Sequence, residues 1–348
     1  MLQSFGMHTV RDAVRWHLVE QQPGRYDWSS VLPQIRAARE TGSEVIWDVL
    51  HYGWPDDIDL WTPQFAERFA AFAHGFAQLL ARETDTIPFF APINEISFFA
   101  WAAGDAGYLN PFAQGRAFEL KVHMVRAAIM AMDAIWQVTP QARMVHVDPI
   151  INVLTDPARP WERDAAEGHR QSQYQSWDML SGRMWPQLGG APRYLDIIGV
   201  NYYHNNQWIH GGPPINRFHP RYRPLRWLLR EVHERYERPL LLSETGIEFD
   251  ERPLWLKYIG AEVRAAQRGG VPIQGICWYP IVNHPGWDDD RHCLNGLFDY
   301  CGPDDTREVF APLAAEFRRQ ARLFAAERTP TATIYTKELS EWALPQVV

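Results

Sequence analysis

The sequence predicts an α/β chain folded as a (β/α)8 TIM barrel, and three observations carry that reading. Short apolar or β-branched runs alternate with longer segments of helical period, as right-handed βαβ units and a parallel sheet require. The runs are apolar almost throughout, which is the pattern of strands covered on both faces. Polar residues gather at their C-terminal ends, which a closed barrel brings to one mouth and an open doubly wound sheet does not.

The runs are TVRDAVRW (9–16), EVIWDVLH (44–51), PFFAPINE (88–95), RMVHVDPI (143–150), LDIIGVNYY (195–203), PLLLSET (239–245) and IQGICWYP (273–280). Between them lie stripes at spacings of three and four. One is Phe65, Phe69, Phe72, Phe76 and Leu79. A second is Phe118, Val122, Val125, Ile129, Met132 and Trp136, and a third is Phe310, Leu313, Phe317 and Phe324. The polar strand ends are Arg11, His51, Asn94 with Glu95, Asn201 with Tyr203, Glu244, and Trp278. No Gly-rich dinucleotide fingerprint follows the first run, which weighs further against an open sheet. Residues 1–327 are expected to form one barrel domain and 328–348 a tail.

Composition narrows the function. A hydrophobic fraction of 46% and a charged fraction of 22% are ordinary for a globular protein. The net charge of -8 does not suit a phosphate-binding surface, so no nucleic-acid partner is expected. Sixteen Trp is well above the roughly 1–1.5% of an average chain. Such rings either fill a core or offer flat faces on which sugars stack. Cys277, Cys293 and Cys301 form no disulfide framework, and with His292 they match no zinc spacing, so no metal is expected. The N-terminus shows no signal peptide and no run reaches a membrane span, so the expectation is a cytoplasmic protein without a membrane partner. There is no nucleophile-elbow serine and no phosphate loop.

Glycosidic bond hydrolysis needs two carboxyl groups flanking the bond, and a barrel would bring Glu95 and Glu244 to one mouth. A lone Glu at a strand end is more often a helix cap or a surface charge; the joint pattern is what raises the pair above that. An ionised Glu244 calls for cationic and hydrogen-bonding neighbours, and Arg11 and Tyr203 could supply them. Glu95 is followed by an apolar stretch, 96–101, compatible with a raised pKa. His146 and Asp148 could line the pocket or simply pack.

These pieces resemble the clan of barrel glycosidases with Glu residues at the ends of strands four and seven, and most of all glycoside hydrolase family 1, the β-glucosidase family. The matches run from about residue 8 to about residue 300. VRDAVRW resembles the family's strand two, with Arg11 five residues before Trp16, and this implies that Arg11 contacts the nucleophile. LHYGWP resembles strand three, which makes His51 a sugar-binding residue. PINEI is similar to the strand-four Asn-Glu, with Ile96 in place of the usual Pro; Asn94 would bind the sugar 2-hydroxyl and Glu95 would be the acid/base. DIIGVNYY resembles strand six, with Tyr203 bonded to the nucleophile and Asn201 nearby. LLSETG resembles strand seven, with Glu244 as nucleophile and Thr245 in place of Asn. GICWYP resembles strand eight, with Trp278 as the floor under the sugar. The implied activity is a retaining, β-glucosidase-like O-glycosidase that needs no cofactor.

Two departures stand out. Gly286 occupies the place of a family Glu that grips distant sugar hydroxyls, although Trp287 can fill the role of the following Trp; the acidic run 288–290 follows. No strand-one equivalent precedes Thr9. A start upstream of Met1, which is the preferred account, a gap filled by TATIYT (331–336), or a degraded homologue would each explain it. The competing functional readings are another member of the clan, such as an endo-glycanase, β-xylosidase or transglycosidase, and a non-catalytic sugar-binding protein. The sequence leaves the oligomeric state open.

Overall fold

The structure is a computed structural model and describes residues 1–287 and 289–327. The expected tail at 328–348, with its TATIYT run, lies outside the described residues, as does Asp288. The chain divides into two compact units. One comprises His8–Ile247 with Ala265–Tyr279; the other comprises Met1–Met7, Glu248–Arg264 and the chain from Pro280 onward.

The first unit holds seven parallel strands in a nearly closed barrel: β1 (Thr9–Ala13), β2 (Glu44–Leu50), β3 (Phe89–Ile93), β4 (Arg143–Pro149), β5 (Ile197–Asn201), β6 (Leu240–Thr245) and β7 (Ile273–Trp278). Each pairs with the next in chain order. They take the places assigned above to strands two to eight. No strand stands between β7 and β1 among the described residues. Instead Cys277 of β7 lies beside Arg11 of β1; burial pushes its thiol up to about 11, and the Arg11 charge and backbone N–H pull the other way.

Side chains alternate across a strand, so residues two apart share a face. Inside the barrel, Ile46, Ala91, Val145, Val147 and Ile197 form an apolar cluster joined by Phe89 and Leu241. Asp48 and Asn201 lie on the same faces as Ile46 and Ile197, nearer the strands' C-terminal ends. Gly199 sits between them on β5, where a Cβ would approach Val147 and the Ser243 hydroxyl to 2.8 Å. A glycine there leaves Ser243 room to reach Asn201.

The outer faces are covered by helices. In α1 (Leu32–Thr41), Ile35 is buried and Gly42 at φ 65° closes the C-terminus. α2 (Pro63–Glu83) begins on a proline at its first turn. Its stripe Phe65, Phe69, Phe72 and Phe76 is fully buried, each ring stabilising the fold by about 1.5–3 kcal/mol. Trp47 of β2 and Phe90 of β3 meet Phe76 edge-on, at 5.5 and 6.0 Å between centroids. Leu80 rather than Leu79 is the buried end of this stripe, because the face turns as the helix lengthens. After α3 (Ile96–Gly104) comes α4 (Ala117–Val138), whose buried face runs through Leu120, Met124, Val125, Ala128, Ile129 and Ile135. Phe118 does not belong to that face; it is exposed and packs edge-on against Trp185 at 5.2 Å.

In the second unit, helix Ala311–Glu327 buries Leu313, Ala314 and Gln320, with Phe317 and Phe324 half-buried. Phe5 meets Phe298 edge-on at 5.8 Å, and Arg318 covers the Phe5 ring. The Trp residues divide between the interior and the surface: Trp16 and Trp177 are core, whereas Trp101, Trp161 and Trp227 are exposed. No helix among the described residues is long and apolar enough to cross a membrane.

Candidate active site

Strands β1, β2, β3, β5 and β6 bring together Arg11, Asp48, His51, Asn94, Glu95, Asn201, Tyr203 and Glu244. Arg11, reaching from β1, is the hub on one side. Its Nε and Nη2 hold both oxygens of Asp48 at 2.9 and 2.8 Å, and its Nη1 donates to Glu244 Oε2 at 2.9 Å. Its Nη2 also donates to Asn94 Oδ1. Burial would lower the guanidinium's pKa, but the Asp48 and Glu244 charges outweigh it, and the group stays cationic. Asp48 is likewise held ionised: burial opposes its charge, and Arg11 and His51 together more than compensate.

Glu244 takes a second donor on Oε2 from Asn201 Nδ2, at 3.2 Å, and a donor on Oε1 from the Tyr203 hydroxyl. Burial and that carboxylate push Tyr203 far above its usual pKa, so it remains a neutral donor. Asn201 is oriented by Ser243, whose hydroxyl donates to its Oδ1 at 2.8 Å. Its Nδ2 also donates to Glu95 Oε1 at 2.8 Å. One amide nitrogen therefore touches both carboxylates, which limits the separation of those two oxygens to about 6 Å.

Glu95 follows β3 in the left-handed conformation, φ 45° and ψ 59°. A non-glycine residue there is strained by about 1–3 kcal/mol, and such strain gathers at functional sites. The turn precedes α3, yet Glu95 makes no side-chain cap. That task falls to Asp148 of β4, whose carboxylate accepts the Ser97 N–H at 2.9 and 3.2 Å and the Ser176 hydroxyl. Asp148 is thus a packing and capping residue. His146 is buried and neutral, its pKa lowered by burial to about 4. With its helix capped by another residue, the Glu95 carboxyl is free to face the mouth. Burial, and then the Glu244 charge, push its pKa up to about 7, against donations from Tyr52 and Asn201.

His51 completes the ring of polar groups. Its Nδ1 lies 3.0 Å from Asp48 Oδ2, and its Nε2 lies 3.2 Å from Asn94 Nδ2. Asp48 is ionised, so the fitting tautomer carries its proton on Nδ1. Trp278 ends β7 opposite Thr245 and is largely buried. Trp287 belongs to the second unit and is 55% exposed.

Two residues escaped the sequence reading. Asp48 is a carboxylate within the buried apolar part of β2, a signal that could have marked it. Tyr52, at φ 62°, turns its hydroxyl to donate to Glu95 Oε2 at 2.6 Å and to accept from Asn94 Nδ2 at 2.9 Å. Among the described residues no group of three or more His, Cys, Asp or Glu side chains could hold a metal ion; His292 instead pairs with Asp299 at 2.9 Å.

No family model matches the chain, and no curated protein sequence matches it. Solved structures do. The family 1 β-glucosidase from Thermotoga maritima in complex with isofagomine lactam superposes with a TM-score of 0.76 at 16% identity, over 92% of this chain and 84% of that one. The same enzyme in complex with deoxynojirimycin gives 0.76 at 15% identity, again over 92% and 84%. A hyperthermophilic β-glucosidase mutant gives 0.74 at 16% identity, over 90% and 85%. At this identity the likeness establishes that the chain has the barrel fold of those β-glucosidases.

Proposed function

We propose that this chain is a retaining glycoside hydrolase acting on β-linked glycosides, with Glu244 as nucleophile and Glu95 as acid/base. The observation that carries the reading is the shared Asn201 amide. It holds one oxygen of each carboxylate within about 6 Å of the other, which suits the ~5–5.5 Å spacing of retaining enzymes.

In the first step Glu244 attacks the anomeric carbon. The bond to the leaving oxygen breaks with its electron pair, and that oxygen takes the proton of Glu95. Arg11, Asn201 and Tyr203 hold and aim the Glu244 carboxylate through their hydrogen bonds. In the second step Glu95, now a carboxylate, takes a proton from water as the water oxygen attacks the same carbon. The ester bond to Glu244 breaks and returns its carboxylate. The pKa of Glu95 follows this cycle: the Glu244 charge that helps to raise it disappears in the covalent intermediate, when a base is needed. Asn94 and His51 are placed to bind sugar hydroxyls, and Trp278 to underlie the ring.

Hydrolysis of a panel of nitrophenyl β-glycosides, followed by NMR of the first-formed sugar, tests the reading. Release of the β-anomer is expected. Release of the α-anomer would exclude retention, and absence of turnover on every glycoside would favour sugar binding without catalysis.

A further inference from the structure

The region beside Glu95 contains a device that the two-carboxylate mechanism does not require. Tyr52 Oη lies 2.6 Å from Glu95 Oε2 and 2.9 Å from Asn94 Nδ2. Asn94 Nδ2 can only donate, so the phenol's proton points to Glu95. The ring is clamped: it stacks on Phe99 at 5.4 Å and 14°, and meets His51 edge-on at 4.9 Å. Its backbone adopts a left-handed conformation that an L residue rarely takes without compensation.

We propose that Tyr52 is the positioning residue of the acid/base: its hydroxyl fixes the Glu95 carboxyl and holds down that group's proton affinity. The inference rests on the function proposed above in naming Glu95 the acid/base, but the contact it concerns is independent of turnover. Glu95 must be neutral in one half-reaction and ionised in the other. Asn201 Nδ2, on Oε1, can only donate and so favours the ionised form. A phenol hydroxyl is a rotor that both donates and accepts, so it can meet Oε2 in either state. Its bond to the carboxylate is charge-assisted and is the stronger of the two. The effect of the Tyr52 bond is to hold the Glu95 pKa lower than burial and the Glu244 charge would otherwise set it.

Other charged and titratable groups share this environment. Glu244 on β6 and Asp148 on β4 raise the Glu95 pKa. Arg11 on β1 carries a positive charge at the mouth, paired with Asp48 on β2 and with Glu244, with His51 beyond Asp48. Tyr203 after β5 is neutral. None of them but Tyr52 and Asn201 is seen to bond the Glu95 carboxyl directly. Tyr52 also acts where the reading above places leaving-group protonation, whereas Tyr203 performs a parallel task on the opposite carboxylate. The site thus has one phenol for each carboxyl group.

The test is a 13C NMR titration of protein labelled at glutamate side-chain carboxyls, with the Glu95 signal assigned by its loss in Glu95→Gln. In Tyr52→Phe, which keeps the stacked ring, the Glu95 midpoint should rise by about one pH unit, the shift expected on losing a charge-assisted bond. In Tyr52→3-fluorotyrosine, a stronger donor of nearly the same shape, it should fall. The basic limb of kcat/KM should move with each midpoint. A midpoint that stays put in the fluorinated protein overturns the proposal even if Tyr52→Phe folds poorly. Midpoints that move in a protein without glycosidase activity would uphold the Tyr52 assignment and refute the proposed function; turnover with fixed midpoints would do the reverse.

Discussion

Two sides of one barrel mouth treat two carboxyl groups in opposite ways. On the Glu244 side, the fixed guanidinium of Arg11 faces the carboxylate, itself oriented by Asp48. On the Glu95 side the direct partners are neutral, a phenol and an amide, backed by the rings of Phe99 and Phe98; Phe98 leads on to Trp101, 51% exposed. The difference lies in where the cation is delivered, since both groups are largely withdrawn from water and share Asn201. A single arginine bonds one carboxylate, whereas at the other burial is the largest influence.

The sharpest way to break the comparison is to remove the charged side's carboxylate. Glu244→Ala should lower kcat by on the order of 10^4-fold or more with the fold retained by circular dichroism; near-normal turnover would exclude the nucleophile assignment. Glu95→Ala should cost about 10^2–10^4-fold on substrates with poor leaving groups. On dinitrophenyl glycosides, whose leaving group needs no proton, the loss of the glycosylation step should be far smaller. Equal losses on both would mean that Glu95 does not act as an acid. Arg11→Met should cut kcat/KM by about 10^2-fold and destabilise the fold by roughly 3–5 kcal/mol, because buried Asp48 loses its cationic partner and keeps only the His51 bond. Chemical denaturation of Arg11→Met beside Arg11→Met/Asp48→Asn checks this, and the double variant should recover part of the stability.

The neutral side predicts a pH effect. With a pKa of about 7, Glu95 loses its proton above that value, so kcat/KM should fall tenfold per unit on the basic limb. The same shift bears on stability. A carboxyl whose folded pKa is raised binds its proton more tightly in the folded state; its contribution is fully present below the unfolded pKa and is lost as pH rises from about 4.5 to about 7. Glu95→Gln should therefore raise the melting temperature by a few degrees at pH 8 and change it little at pH 4. A melting temperature that Glu95→Gln lowers equally at both pH values would show that burial does not disfavour the charge.

The sequence carried the seven barrel strands because most are short, largely apolar runs spaced by helical segments, with polar residues toward or just past their C-terminal ends. It also carried Arg11, Asn94, Glu95, Asn201, Tyr203 and Glu244 as members of one constellation, because barrel closure turns distant strand ends into neighbours. Tyr52 was not legible: its hydroxyl reaches Glu95 only through a left-handed turn, and such a turn has no signature at a tyrosine. The capping role of Asp148 was hidden for a related reason, since it serves a helix whose own preceding residue, Glu95, points elsewhere. Phe118 matched the helical stripe by spacing alone, yet it opens the first turn of its helix and packs with Trp185 instead.

The placement of Arg11 has a consequence for how the molecule loses activity on warming. It stands on β1, which among the described residues pairs only with β2 and in which no residue is fully buried; β2 buries five in a row. Edge segments with little buried apolar surface open at a lower free energy than the core. Peeling of this strand would carry the guanidinium away from Asp48 and Glu244 while the remaining six strands keep their ladder. Amide exchange across 9–13 should therefore be the fastest in the barrel, and thermal inactivation should precede the cooperative melt.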